Sequence, residues 1–229
     1  MRGPVHMSVF GRTLLHMPLE PITHPAILAG AAAIAAFGYL LGGSRYVTLV
    51  HEAGHALTSI LVGGGFQAIR IHSDGSGDTH AYTYSQARFI PVTAVGYLTP
   101  AFLGLAGTWA ISRDHAAAAL AVLAAISGLV LVGARNLLAL GFATIGLAVS
   151  SSTFFLAGAT IQLFVALTIS LLLIGGGLFT AVRCCTTHSA SDHELLQEMT
   201  GIPRRLWAIG TLAVNVWFTY AAVQLLLGF

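Results

Sequence analysis

Val47-Thr-Leu-Val-His51-Glu52-Ala-Gly-His55-Ala-Leu-Thr-Ser-Ile-Leu61 sets two imidazoles and a carboxylate into a run that is otherwise apolar or small. On a helix, residues four apart lie about 40° apart around the axis and ~6 Å along it. His51 and His55 therefore share a face and can present two rings to one metal ion. Glu52 stands beside them, where a carboxylate can accept a proton from water. A charged carboxylate at bilayer depth costs at least ~2.5 kcal/mol and marks function rather than packing. A histidine pair that merely packed two helices would leave Glu52 unexplained.

The surrounding chain explains why that depth is expected. Of its 229 residues, 56% are hydrophobic and 8% charged, and the mean hydropathy is +0.82. Soluble domains carry about 25% charged residues. Apolar runs long enough to cross a bilayer recur, so the chain reads as an all-α polytopic membrane protein whose surroundings are lipid. A formal net charge of +2 is too small to suggest a nucleic-acid partner. Cys184 and Cys185 are adjacent in sequence, a spacing that gives no disulfide framework, and read as two free thiols. Residues 1–24 contain Arg2, Arg12 and several prolines and histidines. They lack a compact apolar core followed by a small-residue cleavage site, so they read as a short cytoplasmic tail ahead of one transmembrane domain, 25–229.

About seven spans are expected. They are Pro25 to Gly43, Ser44 to Val62, Phe89 to Ile111, His115 to Val132, Leu137 to Ser150, the later part of Thr153 to Val182, and Leu206 to Leu227. Gly63-Gly64-Gly65 stops the second, and Gly96 and Pro100 interrupt the third. Residues 66–84 change character. Ile69 and Ile71 alternate with Arg70 and His72, and Thr79, Ala81 and Thr83 alternate with His80, Tyr82 and Tyr84, around the turn signal Ser73-Asp74-Gly75-Ser76-Gly77. This is the pattern of a small β-hairpin after the second helix. It reads either as a plain connection or as an edge that pairs with an extended peptide. Residues 183–205 form a polar loop.

Orientation follows from the arginines. With the N-terminus in the cytoplasm, Arg2, Arg12, Arg70, Arg88, Arg135, Arg183, Arg204 and Arg205 fall inside, and only Arg45 and Arg113 fall outside. The hairpin is then cytoplasmic. His55 lies ~10 Å and His51 ~16 Å from the cytoplasmic end of its helix at 1.5 Å per residue. A metal held there needs a wet cavity enclosed by helices.

His51-Glu52-x-x-His55 in a span, the glycine stop, the hairpin and Gly96-Tyr97-Leu98-Thr99-Pro100 together resemble the site-2-protease type of intramembrane metalloprotease. The similarity is greater to its bacterial B-like branch, at Asp74-Gly75-Ser76-Gly77, Arg135-Asn136, Ser191-Asp192 and Thr200-Gly201-Ile202-Pro203. It covers roughly Tyr46 to Trp207. The resemblance implies a Zn2+ endopeptidase of the bacterial plasma membrane that cuts transmembrane segments of other proteins. It carries the metal-ligand role to His51 and His55, and that of the general base to Glu52. Its oligomeric state is not implied.

The chain departs from that family in one respect. Better-known members supply a third ligand, an aspartate, from a later helix, and no Asp or Glu lies in any expected span after Glu52. Catalytic zinc takes three protein ligands and an open position. Asp192, an anionic oxygen donor in the polar loop, is assigned as the third, and Asn136 is the alternative. Asp192 also suits a helix N-cap, with Ser191 competing, and Asn136 also suits a cap or a bond to a substrate backbone. Asp114 falls on the far face, and His72 and His80 read as solvated. The missing intramembrane carboxylate motivates a rival reading as a non-proteolytic scaffold or metal carrier.

Overall fold

The computed structural model describes residues 25–186 and 192–228. The expected tail, 1–24, lies outside them. The helices are α1 (Pro25–Gly38), α2 (Ser44–Leu61), α3 (Gln86–Val95), α4 (Thr99–Ser112), α5 (Ala116–Gly133), α6 (Leu137–Leu156), α7 (Ala159–Thr186), α8 (Asp192–Thr200) and α9 (Arg204–Leu227). Strands β1 (Gly65–Ile71) and β2 (Gly77–Tyr82) form an antiparallel pair between α2 and α3.

Five helical segments among the described residues are long and apolar enough to cross a membrane, and six if the bent pair α3 and α4 counts as one. The protein is therefore a multi-pass membrane protein. The count falls short of seven because Pro25–Leu61 runs as a single 37-residue segment containing both of the first two expected spans. At 1.5 Å per residue it would be ~55 Å long if straight, well beyond a ~30 Å hydrocarbon core. It is broken at a π-helical turn, Tyr39–Gly43, where Gly42 has φ 124°, a conformation open to glycine.

One other expectation is adjusted, and the expected break in the third span is found. Ser150-Ser151-Ser152 does not end a short fifth helix. The serines lie inside α6, which is 20 residues long, and Ser152 returns its hydroxyl hydrogen to the Val149 carbonyl within its own helix. The third expected span is bent by 60° between α3 and α4. Pro100 has no N–H to offer the carbonyl of Gly96, four residues earlier, and that carbonyl is taken instead by Thr99 N at 3.3 Å.

α2 is the hub. Leu49, Val50 and Ala53 on it are fully buried, against Ile69 and Ile71 of β1, Val130 of α5 and Leu173 of α7. The hairpin does not stand off the end of α2 but folds back along it. Arg45 Nη2 donates to Ser73 O at 2.6 Å, and Thr48 Oγ1 donates to Gly75 O at 2.8 Å. The hairpin tip is thus level with the first turn of α2, while its base joins the last.

Asn136 fixes the far edge of the hairpin. Its Oδ1 accepts from Ile71 N at 3.3 Å and from Ala139 N at 3.1 Å, and its Nδ2 donates to Ile71 O at 2.7 Å. It therefore caps α6 and ties that helix to β1 at once. With Arg135 N donating to Ile69 O at 3.0 Å, the 134–136 link occupies the outer edge of β1. The outer edge of β2 carries no strand among the described residues.

Asn136→Ala removes one cap bond and two bonds to the strand. It is expected to lower stability by about 2–3 kcal/mol. Thermal unfolding in detergent and amide exchange at Ile71 measure this. An unchanged midpoint with Ile71 still protected would mean that other contacts hold the hairpin.

Candidate metal centre

The i, i+4 spacing on α2 brings the two imidazoles together as expected, with His51 Nε2 and His55 Nε2 3.0 Å apart. The structure adds Asp192, whose Oδ2 lies 3.1 Å from His51 Nε2 and 3.3 Å from His55 Nε2. The carboxylate comes from the first residue of α8, so the side chain that also suited a helix cap points at the histidines. Ser191 lies outside the described residues. Asn136 is committed to β1 and α6 and is not part of this cluster. His72 and His80 are paired with Asp78 at 2.8 and 3.2 Å on the exposed face of the hairpin.

The residues present fit a divalent cation on four grounds. First, ligand atoms ~2.1 Å from a tetrahedral ion stand ~3.4 Å apart, close to the separations found. Second, His55 Nδ1 is 2.6 Å from the Val92 carbonyl, which only accepts, so Nδ1 carries the hydrogen and Nε2 keeps its lone pair when the ring is neutral. Third, Asp192 Oδ2 is buried without a directed donor. Lone pairs converge where a cation would relieve their repulsion. Fourth, Gly96 leaves the space. A methyl group there would stand 2.6 Å from His51 Nε2 and closer still to His55 Nε2. Two imidazoles and a carboxylate are also a donor set that catalytic zinc uses.

The same contacts act on Asp192 electrostatically. Burial alone would raise its carboxyl, and positive charge on the two imidazoles, when they are protonated, would outweigh burial and hold it well below the usual carboxylate range.

Glu52 is 3% exposed and is held by the hairpin. Thr79 Oγ1 donates to its Oε2 at 2.7 Å, and a side chain at Gly77 would meet Oε1 at 2.7 Å. β2 thus lies directly over the carboxylate. Thr79 and Gly77 were not singled out as site residues in the sequence, although Thr79 sits in the alternating hairpin pattern and Gly77 in its turn signal. The Val92 carbonyl left no signal, because it is a backbone group in the last turn of α3. Together these elements line a cleft of about 640 Å³ that runs from the cluster past Thr48, Thr79, Thr180 and Arg183.

Residues 26–222 match a family model described as Peptidase M50B-like. No curated protein and no solved structure matches the chain.

Gly96→Ala is expected to push the imidazoles apart and reduce bound zinc by at least about tenfold, the scale of disturbances just outside a metal's own ligands. Metal analysis of the purified protein reads this out, and full stoichiometry in the variant would contradict the placement of the ion beside Gly96.

Proposed function

Given that the chain belongs to the M50B-like peptidase family, we propose that it is an intramembrane zinc-dependent endopeptidase acting on membrane-protein substrates. The observation that carries this reading is the convergence of His51, His55 and Asp192 beside a buried, oriented Glu52 on the wall of a cleft. His51, His55 and Asp192 would hold the ion. When bound, zinc would supply a Lewis acid that polarises the scissile carbonyl and acidifies water.

The chain's own groups do the rest. Thr79 fixes one oxygen of Glu52, which leaves the carboxylate oriented to take a proton from the attacking water and return it to the leaving amine. A helical peptide bond is shielded by its own hydrogen bonds, so the substrate must be extended before it reacts. The edge of β2 that carries no strand among the described residues offers backbone partners for such a strand. Thr48, Thr79, Thr180 and Arg183 along the cleft give water a polar path to the site.

Arg183 lies in the last turn of α7 and also lines the cleft. The stretch from Arg183 to Arg205 holds three arginines, and we place the cytosol and the entrance to the cleft on its side. The scaffold or carrier reading drew on the absence of a third carboxylate inside a span. Asp192 reaches the site from outside the spans, which removes that support.

Glu52→Gln is expected to keep zinc and to lose cleavage of co-reconstituted single-span reporter proteins by ~10²-fold or more. Cleavage at the wild-type rate by the zinc-loaded variant would falsify the assigned base.

A further inference from the structure

One aromatic ring stands between the two elements that carry the cluster. Tyr97, in the bend between α3 and α4, meets the His51 ring edge-on at 4.5 Å between centroids. Its other side is stacked on His193, at 4.7 Å and 14° between planes. His51 belongs to α2, and His193 follows Asp192 on α8. The three rings therefore form a pile running from one member of the cluster to the neighbour of another.

α9 holds the pile at two points one turn apart. Thr211 Oγ1 is 3.0 Å from His193 Nε2. Asn215 Nδ2 donates to the Tyr97 carbonyl at 3.2 Å and to Thr211 O at 2.9 Å. Asn215 is fully buried on a helix whose inner face is apolar apart from it and Thr211, so its presence asks for a reason. The bend supplies one. A break in a helix frees carbonyls from the ladder, and a freed carbonyl inside a membrane protein needs a donor. The bend itself is required, because it brings Gly96 against the imidazoles while turning Tyr97 toward α8.

We propose that Tyr97, braced through its carbonyl by Asn215, is a positioning residue that sets the separation between His51 and Asp192. The ring acts as a spacer of fixed thickness. Stacked on His193 and packed at a steep angle against His51, it keeps α8 from collapsing toward α2 and His51 from rotating away. The hydroxyl is not needed for this. The inference rests on the metal-centre reading above.

The test uses full-length protein in detergent, with Co2+ as the probe, its absorption bands reporting ligand geometry and a titration reporting affinity. Tyr97→Phe is expected to keep the wild-type spectrum and bind Co2+ within about threefold. Tyr97→Leu and Asn215→Leu are expected to alter the spectrum and weaken binding by about 10- to 100-fold, as for other groups that orient metal ligands. Reporter cleavage by these two should lose kcat with little change in KM. Wild-type spectrum and affinity in Tyr97→Leu would overturn the proposal, as would Tyr97→Phe failing as badly as Tyr97→Leu. If Tyr97→Leu does not fold, Asn215→Leu, whose residue does not line the cleft, decides by the same criteria. Absence of Co2+ binding by the wild-type protein would instead overturn the metal centre itself, and the spacer with it.

Discussion

Three atoms with lone pairs, His51 Nε2, His55 Nε2 and Asp192 Oδ2, stand within 3.3 Å of one another in a protein otherwise built from apolar helices. Neutral rings and a carboxylate do not crowd like this for packing. A buried ionised group without a partner is among the largest single penalties a fold can carry. The surrounding architecture can be read as the means of keeping the three together. α2 supplies two of them from one helical face. The bend at Gly96 removes the side chain that would fill the space between them. α8, held by His193, Leu196 and α9, delivers the third.

The hairpin meets a second requirement of the same place. Glu52 is as buried as the apolar core, yet a base needs a defined direction and a route for water. β2 provides both by lying along α2, with Thr79 bonded to the carboxylate and an edge that carries no strand among the described residues. This works only if the hairpin cannot slide. A one-residue slip would exchange the strand's faces and replace Thr79 with Asp78 or His80 opposite Glu52. Arg45 and Thr48 hold the tip, and Asn136 holds the far strand, so the register is fixed at both ends.

Much of this was legible in the sequence, for identifiable reasons. The imidazole pair depends on helical period alone, and the hairpin on alternation around a glycine turn; both are local. The break at Gly96 and Pro100 was visible because proline cannot bond the carbonyl four residues back. The number of spans was less legible. Gly42 and Gly43 read as the end of one helix and the start of another; the helices do break there, at Gly42, but across a kink with no polar loop between them, so that Pro25–Leu61 forms one apolar segment. The length of α6 was misjudged because serines were read as a stop, although a serine inside a helix can return its hydroxyl hydrogen to its own backbone. The contacts of Asn136 and Asn215 join elements 65 and 118 residues apart, and no local pattern encodes such pairs.

Asp192 shows why the third carboxylate lies where sequence patterns of spans do not reveal it. A carboxylate inside a transmembrane segment must enter the bilayer with that segment, at a cost of ~2.5 kcal/mol or more. α2 already carries Glu52, on a helix whose core-facing side is unusually polar because of the two histidines. Placing the second carboxylate on α8, a nine-residue helix outside the spans, separates membrane insertion from assembly of the site. Asp192 reaches the cluster through the docking of α8 and not through the insertion of a span. The penalty of burying it is then met by the groups that need it. The same logic explains the buried underside of α8. Leu196 and His193 are almost fully buried, whereas Glu194 and Gln197 turn to Arg204, through its side chain at 3.4 Å and its backbone N–H at 2.7 Å. A helix this short has little stability of its own. Its position, and with it the completeness of the cluster, is therefore set by its contacts with α3 and α9.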